Sequence, residues 1–247
     1  MLGTLIRAGD VLDLFTLEEP EWGVTATAQR LGIGKSLAHE ALATLTAIGL
    51  LQRVGHGRYR LGWRNMSLAS VLLRTNALSA NARPVLRDLA ETQAAAVSLV
   101  AWDRGRIIFI NRHQHASAPV QRTPAAGTTV PADDSAGARV LLASRPVAEL
   151  RSLWGAGGVQ TRHPTLEELT ADLAEVRRCG WALDVPVAGT PTCVAAPVRD
   201  ADGAVAAAIS LAPPHAAGGP EVYRHARLVV AAASRISEAM RGSAVPV

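Results

Sequence analysis

The spacing of hydrophobic residues changes repeatedly along the first third of the chain, and each change marks an element. From Ala26 to Leu31, and again from Lys35 to Ala47, apolar positions recur at helical spacing, with Gly32, Ile33 and Gly34 between the two runs. Thr25 is placed to N-cap the first helix, and Gly32 to end it in the left-handed conformation that glycine adopts at little cost. On the second helix, closed by Gly49, Ala38, Leu42 and Leu45 form one stripe. At about 100° per residue, Ser36, His39, Glu40 and Ala43 point the other way. The period then drops to two. Leu50 to Arg53 and Arg58 to Gly62 alternate apolar and polar residues around Val54-Gly55-His56-Gly57, a turn-forming sequence. Two short helices round a glycine turn, followed by a hairpin, predict a winged helix-turn-helix. Small aliphatics on the inner side and short polar groups on the outer side suit entry into a major groove.

Beyond the hairpin, Trp63 to Asn76 reads as a linker helix, with Met66, Leu68, Ala69 and Leu72 or Leu73 giving it an apolar side. A further helix is expected from Ala80 to Gln93, with Pro84 near its start, where proline is tolerated. A domain boundary between Thr75 and Leu78 divides the chain into 1–76 and 77–247. Val97 to Trp102 and Arg106 to Arg112 alternate like strands joined at Asp103-Arg104-Gly105. Pro191 to Arg199 and Ala204 to Leu211 repeat that pattern around Asp202-Gly203. Helices are expected over Ser135 to Ala143, Pro146 to Trp154 and Pro220 to Arg241. Another opens at a capping box, Thr165 to Glu168, and ends before Gly180. The predicted class is α+β: an antiparallel sheet with helices at one face.

Charge sharpens the reading of the N-terminal part. No acidic residue occurs from Ala41 to Arg87, a stretch that holds Arg53, Arg58, Arg60, Arg64, Arg74, Arg83 and Arg87. A one-signed run of this kind fits a surface that faces phosphates; incidental arginines on a solvated hairpin are the bland alternative. The overall charge of +4 decides little. No leader sequence and no bilayer-spanning apolar run are recognisable, so a cytoplasmic location without membrane contact is expected. Cys179 and Cys193 have no zinc spacing, and His113 and His115 lack a third ligand nearby, so neither metal nor cofactor is expected.

The segment KSLAHEALATLTAIGLLQRVGHGRYRLG resembles the DNA-binding half of the IclR family of bacterial transcriptional regulators. CVAAPVRDADGAVAAAISLAPP, from Cys193 to Pro214, is similar to that family's effector-domain signature. The resemblance implies a GAF/PAS-like effector-binding domain after the winged helix, operator DNA and a small-molecule effector as partners, and a homodimer or dimer of dimers. It implies a DNA-facing set of Thr25, Lys35, Ser36, His39, Glu40 and Ala43, with Arg53, His56, Arg58 and Arg60 from the hairpin. For the effector it implies Asp184, Cys193 and Ser210, together with a helix N-terminus at Asp133, Asp134, Ser135, Gly137 and Ala138. Arg139 keeps the basic position of that helix.

Departures from the family pattern are equally specific. Leu37 replaces a threonine and Glu40 an arginine on the second helix, Ala212 replaces a second pocket serine, and Val185-Pro186-Val187 replaces an acidic pair. Glutamate can accept from the amino group of cytosine, which arginine cannot, or it can pair with an arginine of the protein. Asp133 and Asp134 would compete with an anionic effector for the helix end, which favours a neutral, cationic or zwitterionic ligand unless they only cap the helix and point to water. Cys193 has no histidine spaced to activate it, and Ser135 lies outside any nucleophile-elbow motif. An enzyme on a GAF-like domain, or a DNA-binding architectural protein without effector, are the competing classes.

Overall fold

Residues 1–75 build one apolar core from Val11, Leu42, Leu45, Leu51 and Tyr59. The helix that supplies Val11, α1 (Gly3–Leu12), lies outside the predicted elements. It is followed by β1 (Trp22–Gly23), α2 (Val24–Leu31), α3 (Lys35–Ala47), β2 (Leu51–Val54), β3 (Arg58–Leu61) and α4 (Arg64–Thr75). Gly32 ends α2 at φ 65°, as its sequence position requires. Thr25 does not cap that helix. Gly23 occupies the N-cap and Thr25 is exposed in the first turn, because Trp22 and Gly23 pair with Tyr59 and Arg58 and deliver the chain to the helix early. The wing is therefore a three-stranded sheet in the order β1-β3-β2, with His56 at φ 61° and Gly57 at φ 70° turning its tip.

The computed structural model describes residues 2–118, 124–184, 192–214 and 219–242. The second unit, 76–247, opens with α5 (Ala77–Gln93). It continues through β4 (Ala96–Asp103), β5 (Arg106–Gln114), β6 (Thr129–Asp133), α6 (Ala136–Ala143) and α7 (Val147–Gly155). After β7 (Val159–Gln160) and α8 (Leu166–Cys179) come β8 (Ala182–Leu183), β9 (Val194–Arg199), β10 (Val205–Ala212) and α9 (Pro220–Gly242). The expected strand start at Pro191 lies outside the described residues. Asn76 caps α5 by accepting the Ser79 N–H at 2.9 Å, so the helix begins three residues earlier than its apolar pattern suggests. Pro84 consequently sits in the helix interior rather than near its start, and removes one backbone donor there. Thr165 caps α8 through the Glu168 N–H, and Gly180 closes it at φ 77°.

Seven strands form one sheet in the order β7-β6-β5-β4-β10-β9-β8, antiparallel except for the β6–β7 pair. Helices cover both faces, not one. Val194, Ala196 and Val198 of β9, with Ala207, Ile209 and Leu211 of β10, pack with α5 and α9. The alternate residues Ala195 and Ala208 pack with α6 and α8 on the other side. Both alternating sets are apolar, and a strand of that kind needs cover on each face. Among the described residues no helix is long and apolar enough to cross a membrane.

Gly62 ties the wing to its support. A Cβ there would collide with the Gly49 carbonyl oxygen and lie 3.0 Å from the Leu51 backbone, atoms that cannot swing aside. Gly62→Ala is expected to destabilise the N-terminal unit by about 1–3 kcal/mol, read as a lower urea midpoint with an unchanged slope.

Candidate functional site

Helix α3 presents one face to its own unit and the other to solvent. Ala38 and Leu42 are fully buried and Leu45 nearly so, whereas Lys35, Ser36, His39, Glu40 and Ala43 are exposed. Glu40 makes no hydrogen bond or ion pair with any described residue, so the alternative in which an arginine of the protein neutralises it is not seen. The wing arginines differ from one another. Arg53 and His56 are exposed. Arg60 faces Gln52, whose amide oxygen accepts from it once the amide is turned. Arg58 is bound to Glu21, donating to its backbone oxygen at 2.6 Å and pairing with its carboxylate at 3.2 Å. That glutamate precedes β1, so the arginine's partner could be found only once the third strand was known.

The second cluster lies on the α6 side of the large sheet. Register places Ala182, Ala195, Ser210, Ser98 and Arg112 in one row across five strands. The next row on that face contains Ala212, Ala96 and Gln114, and Asp184 and Cys193 adjoin its other end through the Asp184 N–H to Cys193 carbonyl bond of 2.9 Å. Ser98 is 2 % exposed, so this row carries a hydroxyl into the buried part of the floor. Arg112 donates to the Gln114 side chain. Ser98 and Arg112 are absent from the set that the sequence suggests. Only cross-strand register reveals them, because neither belongs to a local motif.

The N-terminus of α6 forms the adjoining wall. Asp184 accepts the Ala136 N–H at 2.5 Å with one oxygen and the Cys193 N–H at 3.3 Å with the other. Ser135 is the N-cap, accepting from Ala138 at 3.4 Å, and Asp133 accepts from Ser135 at 3.0 Å. Gly137 packs against Val100 so closely that a Cβ would lie 2.9 Å from its methyl group. Asp134 does not cap α6; its carboxylate takes the Thr161 hydroxyl and the Arg162 N–H, both at 2.7 Å. Arg139 binds Asp172 through two bonds, at 2.6 and 3.0 Å, and donates to the Leu183 carbonyl at 2.5 Å. It thereby fixes the residue before Asp184 rather than presenting its charge to the sheet. The loop Val185-Pro186-Val187 lies outside the described residues.

Burial holds the Asp184 carboxyl above its ordinary value, opposed by the hydrogen bonds from Cys193 and Ala136 and reinforced by the nearby charge of Asp133. Burial, then the Asp184 charge, push the Cys193 thiol far upward, so it stays protonated and is a poor nucleophile. His113 and His115 both reach Glu91, at 3.0 and 3.4 Å, and no group of three metal-ligating side chains occurs among the described residues.

A carboxyl whose folded value is raised stabilises the fold when protonated. That contribution is present in acid and lost as pH rises above the ordinary carboxylate range. Asp184→Asn should therefore gain on the wild type between acidic and neutral pH. Urea titrations across that range check it, and a stability difference independent of pH would contradict it.

Both parts of the chain match known proteins. The IclR helix-turn-helix domain model matches residues 4–55, and the model of the bacterial transcriptional regulator IclR C-terminal domain matches residues 70–238. The HTH-type transcriptional regulator BhcR of Paracoccus denitrificans is 30 % identical over 219 residues, which cover 85 % of this chain and 77 % of that protein. The HTH-type transcriptional regulator XynR of Escherichia coli is 28 % identical, with 83 % of each chain covered. Among solved structures, a putative IclR regulator from Silicibacter sp. superposes with a TM-score of 0.85 at 22 % identity, over 99 % of this chain and 98 % of the other. An IclR homologue from Microbacterium hydrocarbonoxydans, solved with 4-hydroxybenzoate, gives 0.76 at 24 % identity, over 97 % of this chain and all of that one. With both domain models matched in order along nearly its whole length, the chain belongs to the IclR family of bacterial transcriptional regulators.

Proposed function

We propose that this DNA-binding regulator grips a palindromic operator as a homodimer, and that a small molecule seated against the α6 face of the sheet changes that grip. Helix α3 lies in the major groove, with Ser36, His39, Glu40 and Ala43 toward the bases and Lys35, Arg53 and Arg60 toward phosphates. Arg58 serves mainly to hold Glu21, and Thr25 approaches the backbone only from the first turn of α2. The operator would be bound in the cytoplasm.

The apolar surface of α4 supports the dimer. None of its residues is buried within the chain, and Met66, Leu68 and Leu72 are 67, 53 and 61 % exposed. Leu5 and Ile6 of α1 are also exposed. A second copy is the partner that a palindromic site calls for, with half-sites roughly 34–36 Å apart. A dimer of dimers is an extension of the same reading.

One observation carries the effector reading: a polar row of half-buried Ser210, buried Ser98 and half-buried Arg112, beside a helix end already flanked by Asp184 and Asp133. The charges divide the floor. A neutral or cationic donor suits the Asp184 end, and an acidic group suits the Arg112 end. Arg112 at the far end of the row departs from the expectation of a non-anionic effector, and the ligand of the Microbacterium relative, 4-hydroxybenzoate, with its carboxylate and neutral hydroxyl, is a rational first probe. A second carboxylate at the Asp184 end would meet like charge.

Fluorescence anisotropy on DNA from the gene's own upstream region, with competitor DNA and a salt series, tests the DNA half. Specific binding should resist competitor and weaken steeply with salt. Glu40→Arg should shift base preference at one symmetric pair of operator positions, by about 1–3 kcal/mol. Unchanged preference at every position would remove Glu40 from base reading. Operator release tests the effector half: 4-hydroxybenzoate should act at lower concentration than terephthalate. Equal potency of the two acids would overturn the assignment of polarity.

A further inference from the structure

Helix α6 ends, at Ala143, beside a cleft of about 650 Å³ that the regulatory reading leaves unused. Its apolar surface comes from Val140, Val176, Pro197 and Val205, contributed by α6, α8 and the β9–β10 hairpin. Three arginines line it and no acidic residue does: Arg145 just before α7, Arg177 near the end of α8, and Arg199 at the end of β9. Each guanidinium is positioned by neutral groups of the protein. Arg177 donates to the Ala143 carbonyl at 2.9 Å and Arg199 to the Gly203 carbonyl at 2.9 Å. Arg145 donates to the Ser144 hydroxyl at 3.0 and 3.3 Å and lies over the Trp102 ring, 5.8 Å from its centroid.

None of the three is paired with a carboxylate among the described residues, unlike Arg58, Arg139, Arg178, Arg224 and Arg235. Two of the acids nearby are engaged. Glu149 accepts from the Trp102 ring nitrogen at 3.1 Å, and Asp200 accepts the Asp202 and Ala204 N–H groups within the hairpin. Glu238 lines the adjoining groove beyond Arg199. A guanidinium carries five N–H donors, so each arginine keeps most of its fork after these bonds. Capping alone accounts for Arg177, which satisfies the C-terminus of α6. It does not account for Arg145 and Arg199, which converge on the same concavity from separate segments.

We propose that this cleft is a second small-molecule site, for an organic polyanion: an apolar body bearing a dianionic phosphate or two carboxylates. The apolar wall takes the body, and the arginine forks take the oxyanions in the bidentate manner that guanidinium favours. The site is independent of the effector reading. It would be linked to the effector floor through α6 itself, eight residues and about 12 Å long, which meets Asp184 at one end and this cleft at the other.

Calorimetric titration of the full-length protein with phenyl phosphate, phthalate and benzoate, at matched ionic strength near 150 mM, tests it. The two dianions should bind, benzoate about tenfold more weakly, and Arg145→Gln/Arg199→Gln should lower dianion affinity by about tenfold or more. Preference for phenyl phosphate over phthalate, or the reverse, identifies the acid group. Arg177 is left in place because it caps α6. If the double variant melts earlier than the wild type, Arg199→Gln alone, on the exposed hairpin, carries the test and should weaken binding about threefold or more. No binding at millimolar dianion, equal binding of benzoate, or undiminished binding by a folded variant would overturn the proposal.

Discussion

The large sheet is buried on both faces, and most of the C-terminal unit follows from that constraint. With α5 and α9 on one side and α6 and α8 on the other, β4, β9 and β10 can spare few positions for polar groups. Helices that pack on both sides also need small residues beneath them. The alanines of β9 and β10 supply this, and the Gly137 contact with Val100 shows how near α6 comes. Against such a floor Ser98, Ser210 and Cys193 are conspicuous. Ser98 is buried and Ser210 and Cys193 are half-buried, in a setting where a polar group is costly unless it finds a partner.

Local pattern made the winged helix legible because its determinants are local. The Gly32 turn, the Ala38-Leu42-Leu45 stripe and the hairpin each rest on a few consecutive residues, and each is found where the spacing puts it. The departures from local pattern have two causes, a distant partner at β1 and a local cap at α5. Trp22 and Gly23 are too short a run to read as a strand, yet pairing with β3 displaces Thr25 from the cap. Asn76 starts α5 early and leaves Pro84 inside it. The second helical layer was hidden because an all-apolar strand does not say how many helices lie over it.

The proposed effector floor is legible in the same uneven way. Asp184, Cys193 and Ser210 were readable only through family resemblance, and Ser98 and Arg112 not even then, because their placement depends on register across β10, β4 and β5. Asp133 and Asp134 looked alike in sequence, yet only Asp133 stays at the helix end while Asp134 turns to the Thr161 segment. Arg139 illustrates a positive charge spent on architecture: it holds Leu183, and through it the backbone that carries Asp184.

The bare surface of α4 has a further consequence. A helix with so broad an apolar side, running from Leu68 and Leu72 round to Met66 and Leu73, is poorly stabilised when that side stays in water. In the proposed dimer, ordering it by association would make the amount of regulator in the cell a signal in its own right. Occupancy of the operator then rises more steeply than in proportion to protein level, and a modest change in expression becomes a sharper change at the promoter.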